Sequence, residues 1–182
     1  MEGKLEIIIG SMFSGKTTEL CIIYKKWELN NHETLVINHE GDKRYGTDNN
    51  LYTHSKLSIP CIKTDELKKV IVNPTVKLIL INEGQFFEDL VEFCKYWVDI
   101  GKKHIVVCGL DGDSDRKPFK QMMDLIPLSD KVTKMTGFCS KCQEPTESIF
   151  TGRICENKER ILIGGSDLYQ PLCRKHYLEL QK

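Results

Sequence analysis

Residues 5–20, LEIIIGSMFSGKTTEL, constrain this chain more than any other stretch. They open on a short Ile-rich run bounded by Gly10, the mark of a strand buried on both faces. The run then fits G-x-x-x-x-G-K-[ST] at Gly10, Gly15, Lys16 and Thr17. That spacing builds a phosphate cradle. Backbone N–H groups converge, a helix N-terminus adds positive potential, a lysine reaches the terminal phosphates, and a hydroxyl can ligate magnesium. The expected phosphate-binding set is Gly10, Ser11, Met12, Phe13, Ser14, Gly15, Lys16, Thr17 and Thr18. Leu20, Ile23, Tyr24 and Trp27 then recur at i, i+3, i+4 and i+7, one apolar face of a helix. A preceding strand and a following helix are the context that separates a true phosphate loop from a chance match.

Further apolar runs alternate with helical patterns. Strands are expected over residues 34–38, 59–62, 76–81, 104–110 and 132–136, with helices starting at Thr64 and spanning 86–100 up to Gly101. A shorter helix is expected over 122–125. Alternation of this kind predicts an α/β fold of the P-loop NTPase type: a parallel sheet with helices on both faces. Ligands then bind at the carboxyl ends of the strands. From about residue 137 the elements become short and rich in Cys and Gly. The expected division is a nucleotide-binding α/β domain over 1–136 and a small second domain over 137–182, whose Cys139-x-x-Cys142 and Cys173-x-x-His176 spacings make it a zinc ribbon with a lasso-like loop between the half-sites.

The strand ends carry the candidate chemistry. Glu83 follows the run at 76–81, where a carboxylate can orient or deprotonate an acceptor hydroxyl in line with a γ-phosphate. Asn82 stands beside it, where an aspartate would be expected to serve magnesium; an amide accepts a hydrogen bond but brings no charge. After the strand at 34–38, Asp42 could order the metal and Arg44 could neutralise a transferring phosphoryl, although charges in such a loop can also be plain solvation.

Eight cysteines are present, with 26 basic against 26 acidic residues. Cys21, Cys61, Cys94 and Cys108 fall inside apolar periodic segments and read as small core residues. Cys139-x-x-Cys142 and Cys173-x-x-His176 are two matched half-sites with the ligand types and spacing of a closed, structural zinc site; a redox pair at Cys139 and Cys142 is the alternative. The charge balance argues against a nucleic-acid or membrane-surface protein. The absence of an apolar leader or span, together with reduced cysteines, leads to the expectation of a cytoplasmic location.

These pieces resemble the thymidine kinases of the tetrameric, zinc-containing family found in vertebrates, bacteria and large DNA viruses. The resemblance runs nearly end to end. It is carried by G-S-M-F-S-G-K-T-T-E-L, Asp42-x-Arg44-Tyr45, Thr53-His54, Glu83-Gly84-Gln85-Phe86-Phe87, Leu110-Asp111-Gly112, Arg116-Lys117-Pro118-Phe119, Ile126-Pro127-Leu128, both zinc half-sites and Gly164-Gly165-x-x-x-Tyr169. The wording is closer to the vertebrate and poxvirus branch.

The resemblance implies transfer of the γ-phosphate of ATP to the 5′-hydroxyl of thymidine or deoxyuridine. It makes Glu83 the base, and assigns Lys16, Thr17 and Arg44 to the phosphates and magnesium. Met12, Phe86, Leu110 and Phe119 would pack round the thymine ring. Backbone groups at Thr151, Ile161, Ile163 and Gly164 would hold its edge, with Tyr169 near the sugar. It further implies a homotetramer, inhibited by thymidine triphosphate. The chain departs from the family pattern at Asn82, at Asp113-Ser114 and in a longer stretch between Cys142 and Thr151. Asn82 and Ser114 motivate an alternative, a catalytically weakened nucleotide-binding homologue. A zinc-ribbon nucleic-acid binder joined to an NTPase is a remoter one.

Overall fold

A computed structural model describes residues 2–42, 48–53, 57–157, 159–160 and 162–181. The chain runs β1 (Lys4–Gly10), α1 (Lys16–Glu28), β2 (Thr34–His39), β3 (Asn50–Tyr52), β4 (Ser58–Pro60), β5 (Ile62–Thr64) and β6 (Leu78–Ile81). It continues α2 (Leu90–Lys95), β7 (His104–Gly109), α3 (Lys120–Asp124), β8 (Lys131–Met135), β9 (Gly137–Phe138), β10 (Glu147–Ser148), β11 (Phe150–Arg153), β12 (Tyr169–Leu172) and α4 (Arg174–Leu180). Among the described residues, six strands form one sheet in the order β5-β2-β6-β7-β1-β8. Every pairing in it is parallel.

Strand periodicity sorts the apolar side chains to the two faces of this sheet. Ile7, Ile9, Ile37, Ile79, Ile81, Ile105 and Val107 pack on one face with Phe87, Leu90, Phe93 and Met122, from and beside α2 and α3. Their neighbours Ile8, Val36, Leu78, Leu80, Val106 and Cys108 pack on the other with Leu20 and Cys21 of α1 and with Leu51 and Ile59 of the β3–β4 hairpin. Helices therefore cover both faces. Burying each Leu or Ile stabilises by ~1.5–3 kcal/mol, so these two layers dominate the fold. The four cysteines expected in the core are all buried.

Three expected elements came out differently. The single strand expected at 59–62 is two: β4 pairs with β3, and β5 joins the main sheet beside β2. No helix starts at Thr64. Its hydroxyl accepts the Glu66 N–H at 3.2 Å in a local turn, and the Asp89 carboxylate captures the N–H groups of Leu67 at 3.1 Å and Lys68 at 2.8 Å. A single 3₁₀ turn, Leu67–Lys69, results. The helix expected over 86–100 begins only at Leu90 and ends in a π-helical turn, Tyr96–Ile100, closed by the Gly101 N–H on the Tyr96 carbonyl at 2.9 Å. Phe86 stays outside it, in a 3₁₀ turn that faces the ligand side.

The residues from Gly137 onward make small two-stranded sheets, β9 with β10 and β11 with β12. A separate apolar cluster of Leu172 and Tyr177, with Phe150 packed against them, surrounds the four candidate metal ligands. No helix among the described residues is long and apolar enough to cross a membrane.

Candidate active site

The carboxyl ends of β1, β2, β6 and β7 open into one cavity of about 480 Å³. At its floor lies the loop between β1 and α1. Gly10 has φ +149°, and a Cβ there would lie 2.3 Å from the Met135 carbonyl oxygen, so only glycine fits. Gly15 begins α1 at φ +86° with no side-chain cap. α1 thus starts without a side-chain cap from its N-cap residue, and its N-terminus faces the cavity, the arrangement that takes an anion. The Ser14 hydroxyl donates to the Ser11 carbonyl at 2.8 Å, and the Lys16 ammonium donates to the same oxygen at 2.7 Å. Lys16 is therefore drawn back along the loop. Residues Met12 to Thr18 line the cavity; Gly10 and Ser11 lie behind them as its frame.

Glu83 lies two residues past the end of β6, which is separated from β1 by β7. Its backbone is left-handed (φ 55°), a conformation that costs a non-glycine residue of order 1–3 kcal/mol and so signals a functional constraint. The Gln85 amide donates to a Glu83 carboxylate oxygen at 2.5 Å, while its own carbonyl accepts the Leu110 N–H at 2.9 Å. Gln85 thereby fixes the carboxylate relative to the end of β7. Phe13 is the second left-handed non-glycine residue on the cavity wall (φ 62°).

Thr17, Asn82, Asn38 and Asp42 form a continuous polar chain. The Thr17 hydroxyl lies 3.4 Å from Asn82 Oδ1, to which the Cys108 thiol also donates at 3.0 Å. Asn82 Nδ2 donates to Asn38 Oδ1 at 2.9 Å, and Asn38 Nδ2 lies 3.4 Å from an Asp42 oxygen. Burial pushes the Cys108 thiol up to about 12, so it serves here as a neutral donor.

The opposite wall is aromatic. Phe86 and Phe119 meet edge to face at 6.5 Å, and Leu110, Ile163, Gly164 and Tyr169 complete the recess. The Tyr169 hydroxyl donates to the Leu162 carbonyl at 2.7 Å. Thr151 also lines the cavity, and its hydroxyl oxygen accepts the Met12 N–H at 3.0 Å, tying β11 to the phosphate loop. The His39 ring centre lies 5.4 Å from that of Phe86 and 5.0 Å from that of Phe87. Arg44 and Ile161 lie outside the described residues. Sequence reasoning missed Asn38, His39, Gln85, Arg153 and Arg160. None carries a motif of its own; the GQFF wording round Gln85 came nearest to exposing one.

Away from the cavity, His176 Nδ1 lies 3.4 Å from each of the Cys139, Cys142 and Cys173 sulfurs, and Cys142 and Cys173 lie 3.8 Å apart. All four ligand atoms fall within 4.8 Å of one another. A tetrahedron with Zn–S of ~2.3 Å and Zn–N of ~2.0 Å has edges of about 3.8 and 3.5 Å, which matches. Burial alone would raise the Cys139 thiol. N–H groups of Cys173 and Lys141 and the His176 contact outweigh it and bring the pKa to about 6, favouring the thiolate a metal needs. This set is compatible with a structural zinc and leaves no open position for chemistry.

A phosphate cradle on one side of β7 and an oriented carboxylate on the other, both facing an aromatic recess, leave room for a second substrate next to the terminal phosphate. That arrangement defines a P-loop phosphotransferase acting on a small ring-bearing acceptor. Comparison with known proteins narrows the class: the family model described as thymidine kinase matches residues 3–177. The thymidine kinase of vaccinia virus (strain Western Reserve) is 41% identical over 178 residues, covering 97% of this chain and 98% of the viral protein. That of raccoon poxvirus is 42% identical over 177 residues, 97% of each chain, and that of monkeypox virus 40% identical over 178. The chain belongs to the thymidine kinase family.

Proposed function

We propose that the protein transfers the γ-phosphate of ATP to the 5′-hydroxyl of thymidine or deoxyuridine. The observation that carries this reading is the placement of Glu83 and the phosphate loop on one cavity, across β7, with the Phe86–Phe119 recess between them. In this reading Lys16 leaves the Ser11 carbonyl to meet the terminal phosphates, and backbone N–H groups of the loop beyond Met12 hold the rest. Glu83, kept in place by Gln85, accepts the 5′-hydroxyl proton as the acceptor oxygen lines up with the γ-phosphorus. Magnesium carried by ATP supplies charge neutralisation across the phosphates, and Thr17, Asp42 and Asn82 are the residues that would hold its shell.

Met12, Phe86, Leu110 and Phe119 would pack on the thymine ring. Backbone groups at Thr151, Ile161, Ile163 and Gly164 would read its edge, with Tyr169 by the sugar. A site built of donors and acceptors discriminates strongly against bases that leave them unpaired. Arg44 would neutralise the transferring phosphoryl, on the strength of the family resemblance. Zinc at Cys139, Cys142, Cys173 and His176 would close the lasso at its base. The reading extends to two domains, 1–136 and 137–182, a homotetramer, feedback inhibition by thymidine triphosphate and a cytoplasmic location.

A steady-state assay with ATP, magnesium and thymidine, deoxyuridine or deoxycytidine tests it. Turnover of the first two nucleosides over the third is expected. No nucleoside monophosphate from any of them would overturn the reading.

A further inference from the structure

The loop between β7 and α3 is built round one buried carboxylate. The Asp113 side chain is 4% exposed. Its Oδ1 accepts the N–H groups of Asp115 at 3.0 Å and Lys117 at 2.9 Å, and the Asp113 N–H donates back to the Lys117 carbonyl at 2.9 Å. These bonds hold Oδ1 and the turn rigid. Oδ2 points the other way and accepts Arg160 Nε at 2.9 Å.

Arg160 comes from the segment between β11 and β12 and makes three contacts with this one loop. Besides Asp113, its Nη2 donates to the Pro118 carbonyl at 3.0 Å, and its guanidinium lies 5.5 Å from the centre of the Phe119 ring. Behind it, the Arg160 carbonyl accepts Arg153 Nη2 at 3.2 Å, and Arg153 reaches the Tyr169 hydroxyl at 3.3 Å. The charge pair thus joins two cavity walls that no backbone ladder connects among the described residues: Phe119 on one side, Tyr169 on the other.

We propose that Asp113 and Arg160 form the latch that seats the β11–β12 segment over the nucleoside end of the cavity. They are positioning residues that set nucleoside affinity, not catalytic ones. The proposal rests on the nucleoside kinase reading. Its physical basis is preorganisation: the carboxylate is already desolvated and fixed by two backbone donors, so the planar guanidinium meets a rigid partner. Because Arg160 is half exposed, the latch weakens as salt screens it.

The test uses Arg160→Ala, Asp113→Asn (which keeps an acceptor for the turn) and the double variant. A charge-assisted pair of this kind predicts that the thymidine KM rises about tenfold in Arg160→Ala, while kcat and the ATP KM stay within about twofold. The double variant is expected to be no worse than Asp113→Asn alone. Added salt should raise the thymidine KM of the wild type more steeply than that of Arg160→Ala. Thermolysin should nick next to Leu162 faster in Arg160→Ala than in the wild type. An unchanged thymidine KM in Arg160→Ala, or additive effects in the double variant, overturns the latch. A wild type that phosphorylates no nucleoside defeats the kinase reading instead; the latch is then decided by proteolysis, and equal nicking rates overturn it.

Discussion

Asn82 Nδ2 donates to Asn38 Oδ1 at 2.9 Å, and that single bond sets the direction of the whole polar chain from Thr17 to Asp42. With its oxygen taken, Asn38 turns its amide toward Asp42. The carboxylate of the chain therefore lies at Asp42, two side chains from Thr17.

Asn82→Asp should expose this matching. An aspartate would place an oxygen against Asn38 Oδ1; turning the Asn38 amide over would set its oxygen against Asp42 instead. Both Asn38 and Asn82 are 2% exposed, so the mismatch is not relieved by water. The expected cost without metal is ~1–3 kcal/mol. Magnesium with ATP should restore most of it by neutralising the second carboxylate. Thermal unfolding with and without Mg·ATP measures both numbers, and equal metal-free stabilities would refute the matched-amide account.

Glu83→Gln removes the proposed base but keeps the shape of the side chain. Turnover should fall by ~10²–10⁴, the usual worth of a positioned base, with ATP binding by calorimetry unchanged. Gln85→Leu should lower kcat less, by about tenfold, since the carboxylate remains but loses its anchor. A Glu83→Gln enzyme with near-normal turnover would remove Glu83 from that role.

The cysteines should separate by reactivity. Cys61 and Cys108 are pushed up to about 11 and 12 by burial, whereas Cys139 sits at about 6. A strong chelator followed by iodoacetamide at neutral pH should expose and label Cys139, Cys142 and Cys173, and leave Cys61 and Cys108 unmodified while the sheet stays folded. Peptide mass spectrometry reads the labelled sites. Cys173→Ser should release the metal and unfold the cluster round Tyr177; a metal-free protein with unaltered melting would rule out a structural zinc.

His39 provides a pH prediction. Its Nδ1 accepts the Gly41 N–H at 3.1 Å, so the site requires the neutral ring. Burial, outweighing nearby acidic groups led by Glu40, holds its pKa below the ordinary 6.5. Between that lowered value and 6.5 the unfolded chain binds more protons than the folded one, so stability rises with pH. The contribution is complete above 6.5 and is lost as pH falls through the folded pKa. Protonation also removes the Gly41 acceptor beside Phe86. Thymidine KM should therefore hold steady just below pH 6.5 and climb only as pH falls through the lowered pKa of the folded ring, and His39→Asn, which keeps an acceptor near Nδ1, should flatten that rise. A wild-type KM that stays constant as pH falls through that lowered pKa would exclude the coupling.

Much of this was legible in residues close together along the chain. The phosphate loop showed itself because its glycines, lysine and threonine act over eight positions. The metal half-sites are legible for the same reason: each x₂ spacing is a local turn. The sheet followed from continuous apolar runs alternating with helical patterns, since the strands of a parallel sheet are buried on both faces. The same local reading went astray at Thr64 and Phe86. At Thr64 the Asp89 carboxylate, more than twenty residues away, took the N–H groups a helix would have begun with.

The amino-acid sequence alone therefore determined the class of fold, the phosphate-binding loop and the ligand types of the metal cluster, because short-range geometry dictates each. Tertiary structure decided which side chains meet across long separations: Asn82 with Asn38, Met12 with Thr151, Asp113 with Arg160. Such pairings leave no periodic trace. They exist only once hydrophobic burial on both faces of the sheet has brought the strand ends together.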